Sequence, residues 1–413
     1  MRLAHLSLTN FRNYVRLELD FSQPITLLQG DNAQGKTNLL EAAYYLATAS
    51  SPRARTDREL INWLANEDEI PFARLEAKVE GSDALREVSI VLLSNADRVQ
   101  KEIRINGVKR RASELIGQLK TVLFMPEDID LIAGSPDARR NYLDTAISQI
   151  DSRYARSLSQ YNRVLTQRNS LLRTLRERPG DPRQLDFWDR RLVEEGGHLI
   201  AWRVRTVAAL DQLVQDIHAR LTGGEERLRL LYRCSLPLDG EQGRQLYRQL
   251  PLAAARASEE EMGTEDTPAS VVRHIFQRQL EARREEEIER GMTLMGPQRD
   301  DLRFLVGGVD MCTYGSRGQQ RTIAISLKLA EMELIRDKTG EEPILLLDDV
   351  MSELDEERRH HLMDAIHGEQ QAIITACDLS SFAPSFLEQA TLWRIEGGRI
   401  ESVAYEGAPP TGP

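Results

Sequence analysis

The chain has 413 residues, 41% of them hydrophobic and 29% charged, with a formal net charge of -11. The length allows two or three domains and a large core, and the acidic balance argues against a chain that coats nucleic acid over its whole surface. A local basic groove stays open, because phosphate contacts depend on local potential.

No stretch approaches the ~20 apolar residues that span a bilayer. The three cysteines (Cys234, Cys312 and Cys377) lie far apart and give neither a zinc spacing nor a disulfide framework. Reduced thiols and a cytoplasmic location are the expectation.

Residues 1 to 29 read as strands, not as a signal peptide. Leu3, Leu6 and Leu8, then Leu17, Leu19 and Phe21, fall mostly at alternating positions. Phe11-Arg12-Asn13-Tyr14 interrupts them, either as a surface turn or as a polar pair set near the next loop.

That loop is the strongest signal in the chain. Gly30-Asp31-Asn32-Ala33-Gln34-Gly35-Lys36-Thr37-Asn38 contains G-x-x-x-x-G-K-[ST]. An apolar run, Ile25 to Leu28, precedes it, and a helical pattern with Leu39, Leu40, Ala43 and Leu46 follows. This is the strand–loop–helix context of a phosphate-binding loop. Its glycines turn backbone N–H groups toward phosphate oxygens, and the helix N-terminus favours negative charge. Lys36 would reach the β- and γ-phosphates of a nucleotide, and the Thr37 hydroxyl would hold Mg²⁺.

Ser50 to Arg58 is a loop with Arg53, Arg55 and Arg58, either a phosphate-backbone contact or a solvated segment. Residues 71 to 107 read as an antiparallel meander ending in the hairpin turn Asn106-Gly107, followed by the basic cluster Lys109, Arg110 and Arg111. Val122 to Pro126 is a buried-type strand, with Glu127-Asp128 after it. Gly134-Ser135-Pro136 is a turn, with Ser135 as N-cap and Pro136 in the first helical position.

From Asp137 the stripe Leu143, Ile147, Ile150, Tyr154, Leu158, Tyr161 and Leu165 predicts one long amphipathic helix. Residues 178–182 break it. A second stripe from Leu185 to Leu221 predicts a second long helix, and the pair an antiparallel hairpin. Residues 227 to 234 read as a strand, 239 to 267 as a helix and a loop, and 271 to 290 as one charged helix. Strand 302–306 follows the turn Gly296-Pro297-Gln298-Arg299-Asp300-Asp301. Ser316-Arg317-Gly318-Gln319-Gln320 then opens a helix ending near Lys338.

The apolar strand Ile344 to Leu347 ends in Asp348 and Asp349. Asp348 suits a Mg²⁺-shell carboxylate, and Asp349 a general base or water-positioning group. Ser316 could cap its helix, whose N-terminus could address a phosphate. One further buried strand, 371–376, precedes Cys377-Asp378.

With these motifs in this order, the whole chain resembles the RecF family of the SMC/ABC-type ATPase superfamily. The resemblance rests on Phe11 to Tyr14, Gly30 to Asn38, Pro126-Glu127-Asp128, Gly134-Ser135-Pro136, Gly296 to Asp301, Ser316 to Gln320, Leu346 to Val350 and Ser352-Glu353-Leu354-Asp355. It implies an α/β ABC/SMC-type head: a mixed sheet around the phosphate loop and an antiparallel β subdomain. Residues 1–135 and 291–413 would form the head, with a mostly helical arm, 136–290, inserted between them.

The resemblance further implies ATP sandwiched between two heads. Ser316, Arg317, Gly318 and Gln319 of one subunit would meet the γ-phosphate bound by the other, and Asp355 would lie at the interface. Arg12 and Asn13 match positions near the nucleotide. Glu127 lies where the metal- and water-sensing loop runs, in place of the usual Gln. Gln298 stands where this family usually has His, Asp349 replaces the Glu of transporter ATPases, and Cys377 occupies the switch region where transporters carry His.

The implied function is an ATP-dependent DNA switch of recombinational repair. It would form an ATP-driven homodimer, hydrolyse ATP slowly, bind duplex DNA near single-strand gaps, and act with RecO and RecR to load RecA. Arg53, Arg55, Arg58, Lys109, Arg110 and Arg111 are the candidate DNA contacts. The competing reading is an ATP-controlled dimerisation protein that does not touch DNA. A transporter ATPase fits less well, because the chain has a long helical insert and no membrane span.

Overall fold

The computed structural model describes residues 1–67, 71–82, 84–95, 98–237, 268–354, 356–364, 366 and 370–403. Two compact units emerge, Met1–Asp128 with Glu331–Pro413, and Ile129–Ala330. The boundaries drawn from sequence at 135/136 and 290/291 both fall inside the second unit. The segment 239–267 and Asp355 lie outside the described residues.

The first unit contains two six-stranded sheets. One is antiparallel, with β1 (Arg2–Phe11), β2 (Tyr14–Asp20), β4 (Phe72–Glu80), β5 (Leu85–Asn95), β6 (Arg98–Ile105) and β7 (Val108–Arg110) in the order β2-β1-β4-β5-β6-β7. The other is built from β3 (Ile25–Gln29), β8 (Thr121–Phe124), β12 (Ile344–Asp348), β13 (Ala372–Ala376), β14 (Ala390–Glu396) and β15 (Arg399–Val403) in the order β15-β14-β3-β13-β12-β8. Strands β14, β3, β13, β12 and β8 are parallel, and β15 closes one edge antiparallel to β14.

The two sheets differ because their sequences do. Every residue of β8, β12 and β13 is buried, as expected of parallel strands covered on both faces. In β4 the buried residues Ala73, Leu75, Ala77 and Val79 alternate with outward polar ones. Leu39, Leu40, Ala43 and Leu46 of the Lys36–Thr48 helix share one apolar core with Leu6, Leu75 and Ile90 of the antiparallel sheet and Leu346 and Ile373 of the parallel one.

The uneven spacing of Leu3 and Leu6 has a structural cause. The β1–β4 register shifts between Leu3 and His5, so both leucines are fully buried. Gln371 ties this strand to the parallel sheet: its side chain accepts from Leu3 N at 2.6 Å and donates to Leu3 O at 2.9 Å.

The second unit is mainly helical, with a three-stranded sheet of β9 (Leu228–Arg233), β10 (Asp301–Val306) and β11 (Val309–Asp310) in the order β11-β10-β9. The long helix expected from Asp137 is two helices, Pro136–Ile150 and Ser152–Glu177. Asp151 between them is extended, and its carboxylate accepts from Arg153 N at 2.9 Å. A short acidic side chain that caps a new helix ends the old one. The apolar stripe stays in phase across the break, which is why periodicity alone conceals it.

The expected helix 271–290 is likewise two, Pro268–Ala282 and Arg284–Arg290, parted at Arg283. Ser135 and Pro136 do start their helix as N-cap and first residue. The Ser152–Glu177 helix packs on the Asp186–Leu221 helix, as the two stripes predict. Among the described residues, no helix is long and apolar enough to cross a membrane.

Candidate nucleotide site

The phosphate loop starts at the carboxyl end of β3, in the middle of the parallel sheet, where open α/β sheets place their ligands. Two glycines let it pack tightly. A Cβ on Gly30 would lie 2.4 Å from Ile395 O, and one on Gly35, which has φ +116, would lie 2.5 Å from Asn13 Nδ2. The loop is also braced from below. Asn13 Nδ2 donates to Gln34 O at 2.9 Å, Asn38 Nδ2 donates to Asn13 Oδ1 at 2.8 Å, and Tyr14 OH donates to Gly35 O at 2.9 Å.

Lys36 is buried. Its ammonium donates to the carbonyls of Gly30 and Asp31, the latter at 3.0 Å, and lies 3.3 Å from Cys377 Sγ. Cys377 Sγ is also 3.1 Å from Asn32 Oδ1.

Thr37 Oγ1 donates to Asp348 Oδ1 at 2.9 Å, and Thr375 Oγ1 reaches the same oxygen at 2.9 Å. Thr375 sits at the end of β13, the strand between β3 and β12. Its hydroxyl also accepts from Asp349 N at 2.9 Å. Asp349 itself is left-handed, with φ 49.

Burial raises the Asp348 carboxyl above its ordinary value. The bonds from Thr37 and Thr375 and the charge of Arg53 oppose this, while Glu127 adds to it. The sum is an acid whose charge would gain from a cation beside it.

Lys36, Thr37, Asp348 and Asp349 line one cavity of 490 Å³, within the usual range for small-molecule sites. Its walls are Asp31, Asn32, Ala33 and residues 35–38 of the loop, with Arg53, Pro126, Glu127, Asp348 and Asp349. Gly30, Gln34, Arg12 and Asn13 are not among its walls. Arg12 instead grips Glu41, with Nε and Nη2 each 2.8 Å from a carboxylate oxygen, and donates to Glu59 O at 3.0 Å.

Ser316 and Gln319 cap the Arg317–Thr339 helix reciprocally. Gln319 N donates to Ser316 Oγ at 3.2 Å, and Ser316 N donates to Gln319 Oε1 at 3.1 Å. Ser316, Arg317 and Gly318 are exposed, and a Cβ on Gly318 would meet nothing within 4 Å among the described residues.

The basic candidates separate. Arg53, Arg55 and Arg58 are all exposed, and of the three Arg53 lines the cavity. Lys109 pairs with Glu102 at 3.0 Å, a carboxylate it shares with Arg104, and Arg110 pairs with Glu114 at 3.3 Å, so part of that cluster's charge is balanced locally.

Gly296 to Asp301 is a structural knot. Arg203 donates to Pro297 O at 2.6 Å, Tyr232 OH and Ser235 N donate to the Asp300 carboxylate, and Arg139 Nε meets Asp301 Oδ1 at 2.7 Å. Gln298 accepts from Tyr161 OH and donates to Met295 O at 2.8 Å.

Sequence reasoning missed Thr375, because a threonine inside a buried strand carries no polar signal of its own. Nor did it place Arg53 on the cavity wall, since a loop's composition does not tell which way it folds.

Residues 2–390 match the RecF/RecN/SMC N terminal domain family. The chain is 42% identical over 415 residues to the DNA replication and repair protein RecF of Chloroflexus aurantiacus, covering 97% of this chain and 99% of that one. It is 37% identical over 402 residues to the protein of the same name from Bacillus subtilis, covering 97% and 100%. Two solved structures, described as the recombination mediator protein RecF-ATPrS and RecF-ATP in the RecFOR pathway, both superpose with a TM-score of 0.80. The first is 31% identical and covers 98% of each chain; the second is 32% identical and covers 97% of each. The chain therefore belongs to the RecF family, a branch of the SMC/ABC-type ATPases.

Proposed function

We propose that the protein is an ATP-dependent DNA-binding switch of recombinational repair, with its nucleotide in the cavity above β3. The observation that carries this reading is the meeting of Lys36, Thr37, Asp348 and Asp349 on one cavity. Lys36 would exchange the loop carbonyls for the β- and γ-phosphate oxygens. A hydroxyl and a carboxylate 2.9 Å apart form a donor pair that suits Mg²⁺, which takes few protein ligands beside phosphates and water. Thr37 and Asp348 would hold the ion, and it would supply charge neutralisation at the phosphates. Asp349 would orient and deprotonate the attacking water, and its short side chain fits slow hydrolysis.

Asp31, Asn32, Ala33, Gly35 and Asn38 would offer backbone or side-chain donors to the phosphates, with Gly30, Gln34, Arg12 and Asn13 shaping the loop from behind. Ser316, Arg317, Gly318 and Gln319 of a second copy would close over the γ-phosphate, with Asp355 at that interface. ATP would thus drive homodimerisation, and weak, Mg²⁺-dependent ATPase activity would reverse it. The residues 1–135 and 291–413 would then act as the ATPase head, with 136–290 as its arm.

DNA is the macromolecular ligand we favour, as duplex near a single-strand gap, with RecO, RecR and RecA as partners in the cytoplasm. The relatives' shared description as DNA replication and repair proteins supports this. Arg55 and Arg58 are the stronger contact candidates, because Lys109 and Arg110 already pair with carboxylates and Arg53 turns to the cavity. Arg111 stays with the weaker group. Titration of a gapped duplex over a salt series, with and without ATP, tests the reading. ATP-dependent binding with a clear salt slope is expected. Dimerisation with ATP but no DNA binding would favour the purely structural alternative.

A further inference from the structure

The C-terminal hairpin of the parallel sheet runs alongside the phosphate loop. It starts at Gly30, which has room only for hydrogen against Ile395 O. It continues at Gln34, which the turn between β14 and β15 holds by both oxygens: Gly397 N donates to Gln34 Oε1 at 2.7 Å, and Gly398 N donates to Gln34 O at 3.1 Å. Asn13 Nδ2 donates to that same carbonyl at 2.9 Å. The turn in turn leans on Asn13: a Cβ on Gly398, which has φ +76, would lie 2.6 Å from Asn13 O.

Gln34 is held where the loop is most unusual. Ala33 before it has φ 65, and Gly35 after it has φ 116. L-residues avoid the left-handed region unless their surroundings impose it. Here three donors converge on Gln34 from two directions, one from the turn after β1 and two from the turn after β14. None of these groups lines the cavity.

We propose that the Gly397-Gly398 turn is a positioning element for nucleotide binding, which holds the phosphate loop in its binding shape through Gln34 and Asn13. The inference rests on the reading of the cavity as an ATP site. A loop ordered before the nucleotide arrives loses less conformational freedom on binding, so affinity rises without any added contact.

The test compares full-length wild type with Gly398→Ala, Gly397→Ala and Gln34→Leu. A fluorescent ATP analogue reports affinity, steady-state hydrolysis reports kcat and KM, and melting is followed without nucleotide. Gly398→Ala, which must push against Asn13 O, should weaken binding by about tenfold or more. Gln34→Leu, which removes one acceptor, should weaken it by about three- to tenfold. Gly397→Ala has φ +56 but open space, so its effect should be the smallest of the three.

In each case KM should rise more than kcat falls, and the loss of affinity should exceed anything the melting curves predict. Wild-type affinity in both Gly398→Ala and Gln34→Leu overturns the proposal. Affinity losses that only follow melting, equal for both glycines, also overturn it. If Gly398→Ala does not fold, Gln34→Leu decides. A wild-type protein that binds no nucleotide overturns the ATP reading beneath it.

Discussion

Thr37 and Asp348, 311 residues apart in sequence, meet through a 2.9 Å hydrogen bond at the floor of the candidate nucleotide cavity. Thr375 holds the same carboxylate oxygen from the intervening strand. The fold thus assembles a hydroxyl–carboxylate pair from both ends of the chain. Asp348→Asn keeps the shape and removes the charge. It should bind ATP about as well as wild type in EDTA, but lose about 10- to 100-fold of the affinity gained on adding Mg²⁺. Equal Mg²⁺ enhancement in variant and wild type would remove Asp348 from the metal's surroundings.

The Lys36 ammonium rests on two loop carbonyls and beside the exposed Cys377 thiol. Bound ATP should draw Lys36 to the phosphates and cover Cys377. Alkylation of Cys377 by iodoacetamide, followed by peptide mass spectrometry, should slow at least about fivefold with saturating Mg-ATP, an effect of the order of one interaction. Cys234 and Cys312, both less exposed, serve as internal references. Unchanged labelling of Cys377 would mean the nucleotide lies elsewhere.

Gly318 has open space where a side chain would go. Nothing among the described residues of its own chain therefore requires glycine there. Gly318→Leu should melt within about 1 kcal/mol of wild type and bind ATP normally, yet fail to dimerise. A variant that dimerises with ATP would show that no second head packs on this position.

A pH effect follows from Lys120 and Glu341, a largely buried ion pair in the first unit. Burial raises the Glu341 carboxyl, but the hydrogen bond and charge of Lys120, with Ser82 N–H and the charge of Arg86, outweigh it and leave the group below its ordinary value. A lowered acid contributes stability above the unfolded value, about 4.3 for Glu, and loses it as pH falls through the folded value. Lys120→Met should therefore cost more stability at pH 7 than at pH 3. Denaturant melts at both values check this, and an equal cost would show that the pair is not coupled to folding.

Breaking the buried Arg139–Asp301 pair should be expensive. Both side chains are almost fully buried, and Arg139 also donates to Gly134 O at 2.8 Å. Asp301→Ala leaves that guanidinium without its carboxylate and should cost about 3–5 kcal/mol. A loss below about 1 kcal/mol by chemical denaturation would mean the pair is not a structural anchor.

Much of this was legible in the sequence, and the reasons are physical. Ile25 to Thr37 declares strand, loop and helix because parallel strands are apolar throughout and a phosphate loop needs glycine at fixed positions. Ile344 to Asp348 declares its strand and its acid for the same reason. The break at Asp151 was hidden, because two helices can share one apolar phase and only the cap distinguishes them. The bond from Thr375 to Asp348 and the place of Arg53 on the cavity wall were hidden because both depend on which strand or loop lies next to them in space. Lys109 and Arg110 read as free charge only until the hairpin brings Glu102 and the short helix Ala112–Leu115 brings Glu114.

The central claim is that ATP joins two heads through Lys36 on one and Ser316 on the other. Light scattering with and without Mg-ATP measures it most directly, on wild type, Lys36→Ala and Ser316→Arg. The account predicts that wild type doubles its mass with Mg-ATP, that Lys36→Ala stays monomeric without binding nucleotide, and that Ser316→Arg binds nucleotide yet stays monomeric. Wild type that remains monomeric with ATP bound, or a Ser316→Arg protein that dimerises normally, would contradict it.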